Sequence, residues 1–222
     1  MMGKTHRAGA VLLAFPMLFP VFKLTNASPT DAAAISLFLA GSFLTSRLPD
    51  VDQTYSGVGR KLWIVSWIIA VFHAFFQFIY VLTMQKLKWL KRLTKASGHR
   101  GISHTLFIWV LFCLVLTGIY RILANQLPLS DLHTQWLQIF FIGMGFGYLT
   151  HLILDYFSGS LRPFEPFSSK KCGTRVIPTN SKRENMLRNL FFLADILLFI
   201  KTYDFLFPIF SYIKAFSSQL IP

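Results

Sequence analysis

His151 and Asp155 stand four residues apart in the strongly apolar stretch Gly147-Tyr148-Leu149-Thr150-His151-Leu152-Ile153-Leu154-Asp155. On a helix that spacing puts both side chains on one face. An imidazole nitrogen and a carboxylate oxygen placed this way can bind one divalent ion together. The same spacing also serves a plain His–Asp hydrogen bond between helices. Charged groups at membrane depth are costly and usually functional, which keeps the metal reading open beside the structural one. Gly143, Gly145 and Gly147 precede the pair and permit close helix approach.

Three more sets of residues could join them. His99 and His104 flank Arg100-Gly101-Ile102-Ser103. Five apart, they do not share a helix face. They converge if His99 lies in the glycine-bounded turn and His104 on the first turn of the next helix, with Ser103 as its N-cap. A helix start and Arg100 together favour a phosphate, although Arg100 serves equally as one more cytoplasmic base. In Leu48-Pro49-Asp50-Val51-Asp52, Pro49 ends an apolar run. In an extended loop the two carboxylates point to the same side; Asp-x-Asp is also ordinary turn chemistry. His6 sits at the mouth of the first apolar run, where a lone histidine is more often incidental. His73, Asp131 and His133 read as bland, and Ser181-Lys182-Arg183-Glu184 is a capping box that explains Glu184.

The elements that must carry these residues are apolar runs. The chain has 222 residues, 54% of them apolar and only 14% charged, against roughly 25% charged in soluble domains. With 24 Phe and 5 Trp it is not disordered, and two cysteines make no disulfide scaffold. Cys113, in an apolar run, and Cys172, in a basic loop, read as reduced thiols. Runs over about 8–24, 31–48, 62–84, 105–124, 136–157 and 187–213 fit a hydrocarbon core about 30 Å thick. The first, with Pro16 and Pro20, reads as a retained kinked anchor rather than a signal peptide. The fold expected is all-α: one membrane-embedded domain over 1–222, a polytopic transmembrane helix bundle.

Charge sets the sides. There are 22 Lys+Arg against 9 Asp+Glu, a net charge of +13. The basic loops 85–104 and 158–188 should be cytoplasmic, and loop 125–135, with no Lys or Arg, external. Partners then are membrane lipids. Nucleic acid ranks behind them, because the aromatic residues lie in the runs and not beside the basic clusters. For 50–52, 99–104 and 151–155 to meet, run 62–84 must re-enter or lie obliquely, keeping Gln53 and Lys95 both cytoplasmic.

Taken in order, these pieces resemble the YdjM-like family of bacterial inner-membrane, metal-dependent hydrolases. The resemblance rests on His6, Leu48-Pro49-Asp50-Val51-Asp52, the stretch from Gly57 to Lys61, Gly98-His99-Arg100-Gly101-Ile102-Ser103-His104, and Gly147-Tyr148-Leu149-Thr150-His151 through Asp155. It covers about residues 1–165; the apolar insert at 62–95 replaces a shorter basic linker. The ligand order is similar to that of zinc phospholipase C and related single-strand nucleases. The resemblance implies a metal shell from Asp50 or Asp52, His99 or His104, His151 and Asp155, with His6 on a second ion that Asp155 bridges. It implies one or two divalent ions, zinc foremost, since no His-x-x-x-Glu partner follows downstream. The implied activity is hydrolysis of a phosphoester or lipid-linked substrate by metal-activated water at the cytoplasmic membrane boundary. Arg100 would carry the developing phosphate charge, and the spare member of Asp50/Asp52 would act as general base. The competing expectation is a non-catalytic, metal-stabilised membrane anchor or adaptor.

Overall fold

The structure, a computed structural model, describes residues 3–28, 31–52, 60–62, 64, 67, 71, 102–159, 161–164, 168, 170–174 and 176–198. Helix α1 spans Gly3–Thr25, α2 Ala32–Thr45, α3 Leu106–Gln126 and α4 Asp131–Ser158. A further helix, α5, covers residues 182–198. Short 3-10 turns follow α2, at Leu48–Asp52, and precede α3, at Ile102–His104. No strand occurs among the described residues; an isolated antiparallel bridge pairs Leu161 with Cys172. Both cysteines are free thiols.

Four of these elements are long and apolar enough to cross a membrane: Lys4–Thr25, Ala32–Val51, Leu106–Gln126 and Asp131–Ser158. They match the first, second, fourth and fifth apolar runs. The 21 residues of α3 span about 32 Å, the thickness of a hydrocarbon core. Only Leu116 of α3 is buried, while Leu111, Leu114, Val115 and Ile122 are exposed. A helix this apolar with so little cover is stable with lipid, not water, on its outer face. The expected re-entry of 62–84 falls mostly outside the described residues, as do His99, Arg100, the Asp52 side chain and everything after 198.

Helix ends follow local chemistry. α4 begins at Asp131, five residues ahead of the expected run, because Ser130 Oγ caps it by accepting from the His133 amide. Asp31 caps α2, accepting from the amides of Ala33 and Ala34 at 2.9 and 3.1 Å. Its other oxygen accepts from Trp136 Nε1 at 2.6 Å, and Gln135 Nε2 donates to the Thr25 carbonyl at 2.6 Å. These bonds fasten α1, α2 and α4 at the end far from His6. Two sequence expectations are corrected here. Thr105, not Ser103, is the N-cap of α3, accepting from the Ile108 amide at 3.2 Å, and His104 lies in the 3-10 turn ahead of the helix. The stretch 48–52 is a 3-10 turn and not extended.

The core is the seam between α2 and α4. A Cβ on Gly143 would collide with the Phe38 backbone, and one on Gly147 with the Ser42 carbonyl and the Thr45 hydroxyl. Bare glycines let the two backbones touch. Ser42 Oγ donates to the Gly143 carbonyl at 3.0 Å and Thr45 Oγ1 to the Met144 carbonyl at 2.6 Å, tying the seam with hydrogen bonds. Phe38, Ile35 and Ala34 continue it into an apolar core with Ile139, Phe22 and Val21.

Gly147→Val should therefore lower stability by about 2–3 kcal/mol through overpacking. Gly118 has nothing within 4 Å of a built Cβ, so Gly118→Ala should be neutral or stabilising by up to about 1 kcal/mol. Thermal unfolding of the two variants in the same detergent checks both; equal midpoints would mean the seam is not close-packed.

Candidate metal centre

α2 and α4 run parallel, and their matched positions step along in fours. Phe38 meets Gly143, Ser42 meets Gly147, and one turn further the Ser46 carbonyl meets His151. Asp50 and Asp155 occupy the step after that. α1 and α3 enter the same end by their N-termini. The result brings His6, Asp50, His104, His151 and Asp155 together from α1, α4 and the two 3-10 turns.

His6, His104, His151 and Asp155 are all buried to within 1%. Asp50 is the more open member, its side chain 17% exposed. His151 Nε2 lies 3.2 Å from His104 Nε2, and both lie 3.4 Å from Asp155 Oδ2 and 3.7 Å from Asp50 Oδ1. His6 Nε2 lies 3.5 Å from the other oxygen of Asp155, Oδ1, and the His6 ring stacks on His151 with centroids 3.9 Å apart.

Neighbours set the histidine orientations. His151 Nδ1 is 2.7 Å from the Ser46 carbonyl, which can only accept, so Nδ1 carries the hydrogen. In the neutral ring Nε2 is then a lone pair, facing another histidine nitrogen and a carboxylate. His104 Nδ1 is 3.1 Å from Ser103 Oγ, and the Ser103 carbonyl accepts from the Tyr148 hydroxyl. The His104 turn is thus held from α4, on the same face as His151. Such outer partners fix the ring that a metal needs. His6 Nδ1 is buried with no hydrogen-bond partner among the described residues.

The donor set fits a divalent ion. Ligands about 2.1 Å from a tetrahedral ion stand about 3.4 Å from one another. Five of the six separations among His104 Nε2, His151 Nε2, Asp155 Oδ2 and Asp50 Oδ1 run from 3.2 to 3.7 Å. Asp155 can serve both this set and His6, one oxygen to each.

The chain after α4 closes over this end. Gly159, at φ 106°, ends the helix. The Thr174 and Ile177 amides donate back to the Tyr156 and Phe157 carbonyls at 3.0 and 3.2 Å. Glu184, fully buried, is capped as expected: its amide donates to Ser181 Oγ at 3.1 Å. Its carboxylate does more than the capping box implies. It accepts from the Asn180 amide at 2.8 Å and from Thr5 Oγ1 at 3.0 Å. Thr5 precedes His6, so α5 pins the helix start that delivers that histidine. Nothing local in the sequence marks this tie, nor the Ser46 carbonyl or Tyr148 as holders of the histidines.

A family model described as YdjM inner membrane protein matches residues 1–213. The chain belongs to this family. No curated protein and no solved structure matches it. Family membership and the four apolar helices make it an inner-membrane protein with transmembrane helices. Of the residues the sequence marked as ligands, His6, Asp50, His104, His151 and Asp155 converge, whereas His99 and the Asp52 side chain lie outside the described residues, as does Arg100.

Glu184→Ala should destabilise the protein by about 2–3 kcal/mol, since it strands the Thr5 hydroxyl and the Asn180 amide. Thr5→Val, which removes one neutral donor, should cost about 1 kcal/mol. Thermal unfolding ranks them; a harmless Glu184→Ala would show that α5 does not hold α1.

Proposed function

We propose that this YdjM-family chain is a membrane-bound, metal-dependent hydrolase acting on a phosphoester or lipid-linked phosphate at the cytoplasmic boundary of the membrane. The observation that carries the metal is the convergence of donor atoms: His151 Nε2, a lone pair because its hydrogen is committed to Ser46, faces the carboxylate oxygen Asp155 Oδ2 at 3.4 Å and the ring nitrogen His104 Nε2 at 3.2 Å. A divalent cation satisfies all of these contacts at once, whereas a hydrogen on His104 Nε2, with Nδ1 accepting from the Ser103 hydroxyl, would satisfy only one of them. Asp50, His104, His151 and Asp155 would hold one ion, and His6 with Asp155 would reach a second. A bound divalent ion supplies Lewis-acid chemistry: it polarises a phosphoryl oxygen and acidifies water.

The chain's own residues divide the remaining work. Asp50, the least buried member of the cluster, would be the one that substrate and water reach first. The water oxygen bonds to phosphorus, the ester P–O bond breaks, and the proton released passes by way of a carboxylate to the departing alcohol. The Asp50/Asp52 pair supplies that carboxylate, with Asp50 as ligand and Asp52 as the auxiliary base. Burial of the other four groups excludes bulk water. A site at the end of a bundle with an apolar outer surface favours a substrate that is itself held in lipid.

The same burial also fits a second reading, a closed structural site in a membrane anchor, because structural ions take four protein ligands. Turnover separates the two: a metal-loaded, folded protein with no phosphoesterase activity on lipid phosphates is an anchor.

Purified protein should carry zinc or a similar divalent ion near stoichiometry. His151→Ala should lower it at least several-fold, and unchanged metal content in that variant would remove the centre. Asp50→Asn and Asp52→Asn should both impair turnover, but only Asp50→Asn should lower metal content.

For the sidedness, single cysteines at Gln53 and Lys95 in a Cys113/Cys172-free background should both react with an impermeant thiol reagent from the cytoplasmic face. Labelling from opposite faces would end the reading of a single cytoplasmic site.

A further inference from the structure

Two arginines flank the cluster and take no part in it. Arg7 follows His6 on α1. Arg47 follows Ser46, whose carbonyl holds His151, and Arg47's own carbonyl accepts from the Asp50 amide at 3.1 Å. Each is therefore one backbone step from a group that builds the centre. The Arg7 guanidinium lies 4.7 Å from the centroid of the Phe43 ring. Phe43 stands one helical turn before Arg47, so ring and both cations belong to one α1/α2 face. The arginines are electrostatic neighbours of each other, and Asp50 is the acidic group that faces Arg47.

Among the described residues neither guanidinium has a hydrogen-bond partner for its Nε, and both Nε atoms are buried. Among those residues neither arginine forms an ion pair, and the nearby carboxylates of Asp50 and Asp155 are taken up with the histidines. Two half-buried like charges beside each other repel, and among the described residues no carboxylate forms an ion pair with either of them. An anion resolves this. A guanidinium presents its N–H groups as a planar fork that fits phosphoryl oxygens two at a time. The surface around the pair is apolar: Phe43 is 39% exposed and Leu44 62% exposed on the outer side of α2. A molecule with a phosphate at one end and hydrocarbon at the other meets arginines with the first and these side chains with the second.

We propose that Arg7 and Arg47 form a phosphoryl-binding subsite beside the His/Asp cluster, which takes the head-group phosphate of a lipid or lipid-linked molecule. The inference rests on the hydrolase reading only in calling that phosphoryl group a substrate; its binding stands by itself. The sequence had given this role to Arg100. Arg7 and Arg47 hold two positions for it that the fold brings to the cluster from α1 and from the turn after α2.

The test is binding of a fluorescent short-chain phosphonate analogue of phosphatidate, which cannot be hydrolysed, to the full chain in an uncharged detergent. The probe anisotropy should report saturable binding that the matching diacylglycerol lacks. Arg7→Gln and Arg47→Gln should each weaken it about tenfold or more. Arg47→Lys, keeping charge but losing the fork, should fall between. Lys23→Gln, at the far end of α1, should bind as the unaltered protein does. Unchanged affinity in the double glutamine variant overturns the subsite. Equal binding of the diacylglycerol overturns it too, and inorganic phosphate competing as well as the lipid probe reassigns the pair to free phosphate and overturns the lipid part. Should a glutamine variant fail to fold, Arg47→Lys decides: several-fold weaker binding supports the subsite and undiminished affinity rejects it. Because nothing is turned over, arginine-dependent binding in a protein without phosphoesterase activity would sink the hydrolase reading alone.

Discussion

A neutral histidine buried in an apolar bundle has two ring nitrogens to satisfy, and both cannot be satisfied by acceptors. In His151, Nδ1 sits 2.7 Å from the Ser46 carbonyl, while Nε2 faces His104 and Asp155. The first contact fixes the hydrogen on Nδ1. It thereby turns Nε2 into an acceptor aimed at a carboxylate oxygen and a second ring nitrogen, in a place water hardly reaches. Leaving such groups unmatched in low dielectric costs several kcal/mol each. The Ser46 carbonyl can make this bond because α2 has ended at Thr45, with its last carbonyls not consumed inside the helix. A helix end, normally a liability in lipid, has become the support for the ring.

That end is placed by packing far from any chemistry. The glycine seam at Gly143 and Gly147 brings α2 and α4 into backbone contact, and the matched positions 38/143, 42/147 and 46/151 advance in parallel. A shift of the seam by one residue would rotate His151 about 100° away from Ser46. Seam and centre are therefore one register, and the precision of the site comes from two residues with no side chain. The far end does its share: Asp31 caps α2 and takes Trp136 from α4, so both helices are fixed at both ends.

Much of this was legible in sequence, because it is local. Apolar runs of membrane length gave α1, α2, α3 and α4, and i, i+4 spacing put His151 and Asp155 on one face. Asp50, His104 and His6 were marked because short polar motifs at the ends of apolar runs have few other uses. The details that failed were decided by neighbours distant in the chain or by small conformational differences. Asp50 is delivered by a 3-10 turn, which a Pro-containing five-residue stretch does not distinguish from an extended one. Thr105 outcompeted Ser103 as cap of α3, where the Leu106 amide is also occupied by the Pro163 carbonyl at 2.9 Å. Glu184 was recognised as a cap, but its bond to Thr5 crosses 179 residues and has no local signature. Arg7 and Arg47 were lost among 22 basic residues; only burial and missing partners set them apart.

The ends of the helices also sort charge. α2 and α4 bring their C-termini to the cluster, and the negative end of the helix dipole there favours a cation. α1 and α3 bring their N-termini, where the positive end of the helix dipole favours an anion. An up-and-down arrangement of four helices necessarily mixes the two kinds of end on one face. Here the donors for a cation, His151 and Asp155, lie on the last turns of α4, and Asp50 follows α2. Arg7 lies in the first turns of α1 and faces across to Arg47. Groups suited to a cation and groups suited to an anion are thus side by side because parallel α2 and α4 alternate with α1 and α3 in direction. A phosphate ester placed over that face would meet both fields at once. The topology alone provides that pairing, before any individual ligand is chosen.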